Sequence, residues 1–349
     1  MRDNQEIPST SRLRELVAAM AGQPVVMAVD LVADRFITGT PKRISREAPV
    51  LILRQESDRF VPGGGANAVA NVAGLGGRPR PIGVVGDDES GRAIIAAFED
   101  LDVTTRGIAT LGGYRTPTKV RVLGGGRHAI KQQIVRYDIE DEVTVDSDVG
   151  RIHSRALEHW KGQAQVAVLS DYGYGAVTPA LLEPVRSALG SSSRLLCDSR
   201  YRLADFVGVD GATPNEEEAE ALYGQALNDD PLKLAAAGDA IRARLGTSFL
   251  LVTRGGLGMS LFDDIGTIHI PIHGSDQVAD VTGAGDTVIG TFALALAAGS
   301  TPLEAALLAN YAAGVVVQKL GTATIRPGEL DRAVAGGAEL LERLAWERS

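Results

Sequence analysis

The sequence predicts an α/β fold of three layers, with helices on both faces of a mostly parallel central sheet and a small β lid standing off it. Three observations carry this reading: short apolar runs alternate with helical patterns, two extended segments break that alternation, and no Pro- or Ser-rich linker interrupts the chain.

The runs Val25 to Val29, Pro81 to Val85, Val166 to Leu169, Arg194 to Cys197 and Phe249 to Val252 read as buried strands, because a strand covered on both faces has no polar alternation. Between them, Ala66 to Leu75, Gly91 to Leu101, Pro179 to Leu189 and Glu216 to Tyr223 carry apolar residues at helical spacing. This order implies parallel strands joined by crossover helices. Phe36 to Phe60 and Tyr114 to Tyr137 instead alternate polar and apolar residues, as in Lys119-Val120-Arg121-Val122. Such segments fit a lid over a site, or else edge strands of the main sheet. Ser191-Ser192-Ser193 reads as a turn, and Gly328 to Arg348 as one surface helix with Leu330, Leu340, Leu341 and Leu344 inward. No internal repeat is visible, so the expectation is a single domain over 1–349, its lid drawn from about 36–60 and 114–137.

Composition narrows the function. Of 349 residues, 44% are hydrophobic and 23% charged, an ordinary globular balance. A net charge of −9 argues against broad nucleic-acid binding, so any phosphate site must be built locally. Cys197 is the single cysteine, which excludes an intramolecular disulfide and multi-thiolate zinc, and points to the reducing cytoplasm. Met1 to Arg14 lacks the apolar core of a secretion signal, and the apolar stretch Val288 to Ala298 falls short of the roughly 20 residues that span a bilayer, so no membrane partner is expected. No lysine follows a glycine, which excludes a P-loop, and the absence of Gly-x-Gly-x-x-Gly disfavours a nicotinamide enzyme. His269 and His273 are four apart but sit in an extended Ile-rich segment, which does not align them on one helical face.

The most informative stretch is Asp280-Val281-Thr282-Gly283-Ala284-Gly285-Asp286, which runs into an apolar helix. Bare backbone at a helix start gathers unpaired N–H groups and the positive end of the helix dipole, an arrangement that holds an anion. Asp286 beside such an anion makes sense as the base that deprotonates a hydroxyl attacking a phosphate; the alternative is a tight turn with an acidic helix start and no ligand. Pro62-Gly63-Gly64-Gly65-Ala66-Asn67 lets a ligand approach backbone closely, with Asn67 offering a donor and an acceptor to a polyol. Asp34, with Asp30 as a second candidate, follows the first strand and either accepts hydroxyl hydrogen bonds or serves as a turn former. Asn215 and Glu218 open a helix, where they form a capping arrangement, order water around Mg2+, or both. Thr253-Arg254-Gly255-Gly256-Leu257-Gly258 follows a strand and offers a flat backbone wall for a nucleotide, or a plain hairpin turn.

Taken together, Gly63-Gly64-x-x-Asn67, Asn215-x-x-Glu218 and Asp280-x-Thr282-Gly283-Ala284-Gly285-Asp286 resemble the ribokinase/PfkB-type carbohydrate kinases over nearly the whole chain. Within them, Arg43-Ile44-Ser45-Arg46-Glu47-Ala48-Pro49-Val50, Ser170-Asp171-Tyr172 and Ala312 through Lys319-Leu320-Gly321-Thr322 look most like the kinase module of bacterial heptose 7-phosphate kinases. The resemblance implies a ribokinase-like fold, ATP as phosphoryl donor, and a sugar hydroxyl as acceptor, most specifically the anomeric hydroxyl of a heptose 7-phosphate. It implies Asp286 as base with Gly283, Ala284 and Gly285 as the anion hole, and Asn215 and Glu218 at Mg2+ and phosphate. Thr253, Arg254, Gly256, Gly258 and Asn310 would line the nucleotide, while Asp34, Gly63, Gly64, Asn67 and Asp171 would face the sugar. Asp280 and Thr282 become candidate ligands of a monovalent cation such as K+, and a homodimer through the lid is expected. No His-x-Gly-His nucleotidyl motif occurs. Gly173-Tyr174-Gly175 and Asp198-Ser199-Arg200 stand where those kinases usually carry Ala-Lys-Gly and Asp-Pro-Lys; Arg121, Arg136 and Arg200 are the residues that would replace the lost lysine charge.

Overall fold

The apolar runs occupy the centre of one large sheet. The computed structural model describes residues 7–126, 131–190, 193–227, 230–274, 280–319, 321–344 and 346–347. Met1 to Glu6, the Ser191-Ser192 turn, Leu320 and Arg348 lie outside them. In chain order the strands are β1 (Pro24–Val29), β2 (Leu31–Ile44), β3 (Leu51–Gly64), β4 (Arg78–Gly86), β5 (Gly107–Leu111), β6 (Thr118–Gly124), β7 (Gln132–Ile139), β8 (Val166–Asp171), β9 (Arg194–Ser199), β10 (Gly211–Ala212), β11 (Phe249–Thr253), β12 (Met259–Phe262), β13 (Thr267–Ile270) and β14 (Trp346–Glu347). The helices are α1 (Thr10–Ala19), α2 (Gly65–Gly74), α3 (Glu89–Asp100), α4 (Ser147–Trp160), α5 (Leu182–Leu189), α6 (Glu216–Tyr223), α7 (Pro231–Leu245), α8 (Ala284–Ala297), α9 (Pro302–Val316), α10 (Pro327–Gly336) and α11 (Ala338–Glu342).

The large sheet runs β14-β13-β12-β11-β10-β9-β8-β1-β4-β5 and is parallel from β11 to β5, with β12 to β14 antiparallel at one margin. One face packs Val25, Met27 and Leu251 against α1, α2, α8 and α9; the other packs Val26, Ala28 and Leu250 against α4, α5 and α7. Successive side chains of β1 thus enter opposite cores, which is why the strand is apolar throughout. Helix α8 buries eleven of its residues, Asp286 among them, so its start is locked in position by the apolar body behind it. No helix among the described residues is long and apolar enough to cross a membrane.

A second sheet of four strands, β3-β2-β6-β7, stands apart from the first. Its strands draw on the extended segments expected at 36–60 and 114–137, of which 127–130 lie outside the described residues, and β2 pairs with β6 in parallel at Asp34↔Lys119 and Phe36↔Arg121. Two expectations fail. The surface helix over 328–348 is broken into α10 and α11, because Gly337 sits against the Tyr311 ring and its carbonyl accepts from the Tyr311 hydroxyl at 2.8 Å. Asp30 is no ligand group: its carboxylate accepts backbone N–H bonds from Tyr172, Tyr174, Ala176 and Val177 at 2.8, 3.0, 3.0 and 3.3 Å, and so fixes the loop after β8.

That loop turns at Gly175, where φ is +92° and a Cβ would lie 2.1 Å from the Val143 carbonyl oxygen. Gly175→Ala therefore meets both left-handed strain and a backbone clash, and should lower unfolding free energy by about 1–3 kcal/mol in urea titration. An unchanged midpoint would contradict this account of the loop.

Candidate active site

Asp286 lies in the first turn of α8, after Gly283, whose φ of +79° turns the chain into the helix. A Cβ on Gly283 would lie 2.4 Å from Asn67 Nδ2, so the glycine also admits the side chain that steadies Asp286. Asn67 Nδ2 donates to Asp286 Oδ2 at 3.1 Å, and the Tyr172 hydroxyl donates to Oδ1 at 2.5 Å. Burial raises the Asp286 carboxyl to about 6 against the lowering pull of these two hydrogen bonds. A carboxyl that titrates in this range is suited to proton transfer near neutrality.

The carboxylate opens on a cleft of about 740 Å3 at the C-terminal ends of the parallel strands, where open α/β sheets hold ligands. Of the residues expected at the site, Asp34, Gly64, Arg121, Arg136, Asp171, Arg200, Asn215, Glu218, Thr253, Thr282, Gly283, Gly285 and Asp286 line it. Gly285 is exposed, and a Cβ there would meet nothing within 4 Å, so its backbone faces open space at the helix start. The Ala284 N–H instead donates to the Val281 carbonyl at 3.2 Å, which leaves it a poor member of an anion hole.

Several expected residues act behind the cleft. Asn67 is 1% exposed, does not line the cleft, and spends its described side-chain hydrogen bonds on Asp286, Gly283 and Asn71, so it orients the Asp286 carboxylate. Gly63 makes room for Asp34, whose Oδ2 would lie 2.5 Å from a Cβ there. Asp171 reaches the cleft wall, yet its carboxylate is bound to Ser199 at 2.7 Å and to Arg202 at 2.6 Å, a structural clasp between β8 and β9. Asp280 accepts from the backbone N–H of Thr282 and of Gly321 at 2.9 and 3.1 Å and so shapes the turn before Gly283. Asn310 donates to the Pro271 carbonyl at 2.9 Å, and Arg254 pairs with Glu216 at 3.3 Å; neither lines the cleft. Gly256 and Gly258 also stand outside it, with Gly258 tight against the Ile270 carbonyl.

The four-stranded sheet supplies one wall. Asp34, Lys119, Arg121 and Arg136 fall on one face of β2, β6 and β7 by the two-residue period and the cross-strand register. Arg121 pairs with Asp34, whose carboxyl is nonetheless raised by burial, and Arg136 pairs with Asp138 at 2.5 Å. Lys119 Nζ lies 5.0 Å from the centre of the Tyr172 ring, and burial lowers its pKa. Arg200 is exposed and forms no ion pair among the described residues. Opposite, Asn215 and Glu218 form a reciprocal capping box on α6, with Asn215 Oδ1 accepting the Glu218 N–H at 2.8 Å. Burial, then the charges of Glu218 and Asp286, push the Asp198 carboxyl well above the usual range. Glu217, Glu218 and Asp198 thus form an under-compensated acidic side. Among the described residues no three His, Cys, Asp or Glu side chains group to hold a metal by themselves.

Tyr172, Lys119 and Asp198 are the functional candidates that motif reading leaves out. Each lies within a stretch already singled out, but its partner is distant: Tyr172 and Asp286 are 114 residues apart.

The pfkB family carbohydrate kinase profile matches residues 24–328. The bifunctional protein HldE of Mesorhizobium japonicum is 36% identical over 332 residues, 94% of this chain and 65% of that protein. HldE of Halorhodospira halophila is 41% identical over 319 residues, 90% of this chain and 64% of its own length. The chain therefore spans slightly less than two thirds of these relatives. Among solved structures, Arabidopsis thaliana ribokinase complexed with ribose and ATP superposes with a TM-score of 0.69 at 21% identity, covering 90% of this chain and 99% of its own. Phosphofructokinase-2 from Escherichia coli, in complex with substrates and products, gives 0.71 at 20% identity, covering 90% and 99%. Both share the ribokinase-like fold.

Because the Tyr172 hydroxyl lowers the Asp286 pKa, removing it leaves burial less opposed. Tyr172→Phe should move the acid limb of the kcat/KM profile for sugar phosphorylation above the wild-type position near pH 6. An acid limb that stays in place would contradict the role assigned to Tyr172.

Proposed function

This chain belongs to the pfkB family of carbohydrate kinases, and on that premise we propose that it transfers the γ-phosphoryl group of ATP to the anomeric hydroxyl of a heptose 7-phosphate or a closely similar sugar phosphate. The observation that carries this reading is one cleft lined by Asp286 at a helix start and by four cations, Lys119, Arg121, Arg136 and Arg200. Two of the arginines already face carboxylates, so Arg200 and Lys119 are the groups assigned to the acceptor's own phosphate. The resemblance to heptose 7-phosphate kinases, carried by Arg43 to Val50 and Ser170-Asp171-Tyr172, favours a heptose over other sugars.

In this mechanism Asp286 Oδ takes the hydroxyl proton as the acceptor oxygen bonds to the γ-phosphorus in line with the departing ADP oxygen. The Gly285 backbone and the α8 dipole meet the charge on the transferred group. Asn67 and Tyr172 hold the carboxylate in place, and Asp34 orients sugar hydroxyls beside Arg121. The four-stranded sheet acts as lid of one kinase unit over 1–349 and excludes water that would hydrolyse ATP. Thr253 and the wall through Gly258 border the adenosine side. Mg2+ fits the acidic side, where Glu218 and Asn215 would hold it through water; it supplies charge neutralisation on the polyphosphate. K+ would lie by Asp280 and Thr282 beside the anion hole.

Asp286→Asn should keep the fold and ATP binding while kcat falls about 10²–10⁴-fold in an ADP-release assay across a panel of sugars and sugar phosphates. Near-wild-type turnover would remove Asp286 as base. In the same panel, preference for an unphosphorylated sugar would refute the heptose phosphate assignment while leaving a sugar kinase.

The lid also carries Ile44, Val50, Leu51, Ile134, Val135 and Tyr137 at 40–59% exposure; Val135 and Tyr137, on the face of β7 away from Arg136, suit contact with a second copy of this chain. Sedimentation should show a dimer that Val135→Glu/Tyr137→Glu converts to monomer; a monomeric wild type would overturn the lid interface.

A further inference from the structure

A second cavity, of about 460 Å3, lies at the other end of the large sheet from Asp286. It is bounded by the start of β4, the turn into β5, the residues after α3 and the end of α4, all at the N-terminal margin of the parallel strands. Arg78 and Arg80, two apart on β4, line it together with Arg106, His159, Asp102 and the Trp160 ring. Three guanidinium groups thus meet one carboxylate.

These charges are poorly compensated within the protein. None of the three arginine side chains forms an ion pair or hydrogen bond among the described residues, although surface arginines elsewhere in the chain pair readily, as Arg14 does with Asp331. Arg80 Nη1 is buried with no hydrogen-bond partner, an expensive condition for a charged donor. Burial and the neighbouring Arg78 charge both lower the Arg80 pKa, as expected where a cation faces another cation and pairs with no anion. A guanidinium presents a planar fork of donors that matches a phosphoryl group, and a concave setting strengthens the attraction. Trp160 and Leu101 give the same cavity an apolar side.

We propose that Arg78, Arg80 and Arg106 form an anion site, separate from the catalytic cleft, that takes the phosphoryl end of a small mono- or diphosphate compound. The site needs neither Asp286 nor the lid, so its occupation is measurable apart from turnover.

Calorimetric titration with pyrophosphate tests this on four proteins: wild type, Arg80→Gln/Arg106→Gln, Arg106→Gln and the cleft variant Arg200→Gln. The wild type should show binding at two classes of site. The double variant should lose one class, with at least tenfold weaker binding there and unchanged kcat for sugar phosphorylation. Arg106 is exposed, so Arg106→Gln leaves packing intact and should weaken the same class even where the double variant does not fold. Arg200→Gln should weaken only the other class. Pyrophosphate binding that is the same in wild type and Arg106→Gln, or that is lost entirely with Arg200→Gln, would overturn the proposal.

Discussion

A carboxylate buried at the start of a helix is the constraint around which the site is arranged. Removal from water pushes Asp286 towards its neutral form, while Tyr172 and Asn67 donate to its two oxygens and pull it back. The balance leaves a group that is ionised at neutral pH yet basic enough to accept a proton. It also fixes the geometry, because each donor comes from a different part of the chain: Asn67 from α2 and Tyr172 from the loop after β8. That loop is in turn tied to β1 through Asp30. A buried carboxylate that serves only the backbone thus sets the position of one that faces the cleft.

The two sheets divide the labour of the cleft. The large one places helix starts and loops at the C-terminal ends of parallel strands, where backbone N–H groups meet phosphate. The small one brings side chains, and its pleat turns Asp34, Lys119, Arg121 and Arg136 to the same side. Charge is divided too: Glu217 and Glu218 come from α6, Lys119, Arg121 and Arg136 from the small sheet, and Arg200 from just past the end of β9 in the large one. The proposed donor with Mg2+ and the proposed phosphorylated acceptor are complementary to these acidic and basic groups. Net charge alone, at −9, conceals this local arrangement.

Much of this was legible in the sequence where the local signal and the tertiary role coincide. Strand β1, and β8 and β11 over Val166 to Leu169 and Phe249 to Val252, are apolar because both faces are covered, while Gly283 admits Asn67 and Gly285 leaves open space at the start of α8. Signals weaken where burial erases the period. Helix α9 buries twelve of its fifteen residues, so it shows no polar stripe to read. The contacts of Asn67 and Asp171 are hidden from the sequence for another reason: polar residues beside a glycine-rich turn look like ligand groups, and only their partners, Asp286 and Arg202, reveal that they hold other side chains. Tyr172 has the opposite history, an aromatic in a run of small residues whose hydroxyl acquires meaning through a contact with a distant carboxylate.

The most direct test of the central claim is a crystal structure of the ternary complex with a non-hydrolysable ATP analogue and a heptose 7-phosphate. The account requires the acceptor hydroxyl within hydrogen-bond distance of Asp286, the γ-phosphate against the Gly285 backbone, and the sugar's phosphate beside Arg200 and Lys119. A complex in which the triphosphate lies away from the α8 start, or in which Asp286 stays enclosed by Tyr172 and Asn67 with no acceptor atom near it, would contradict the account.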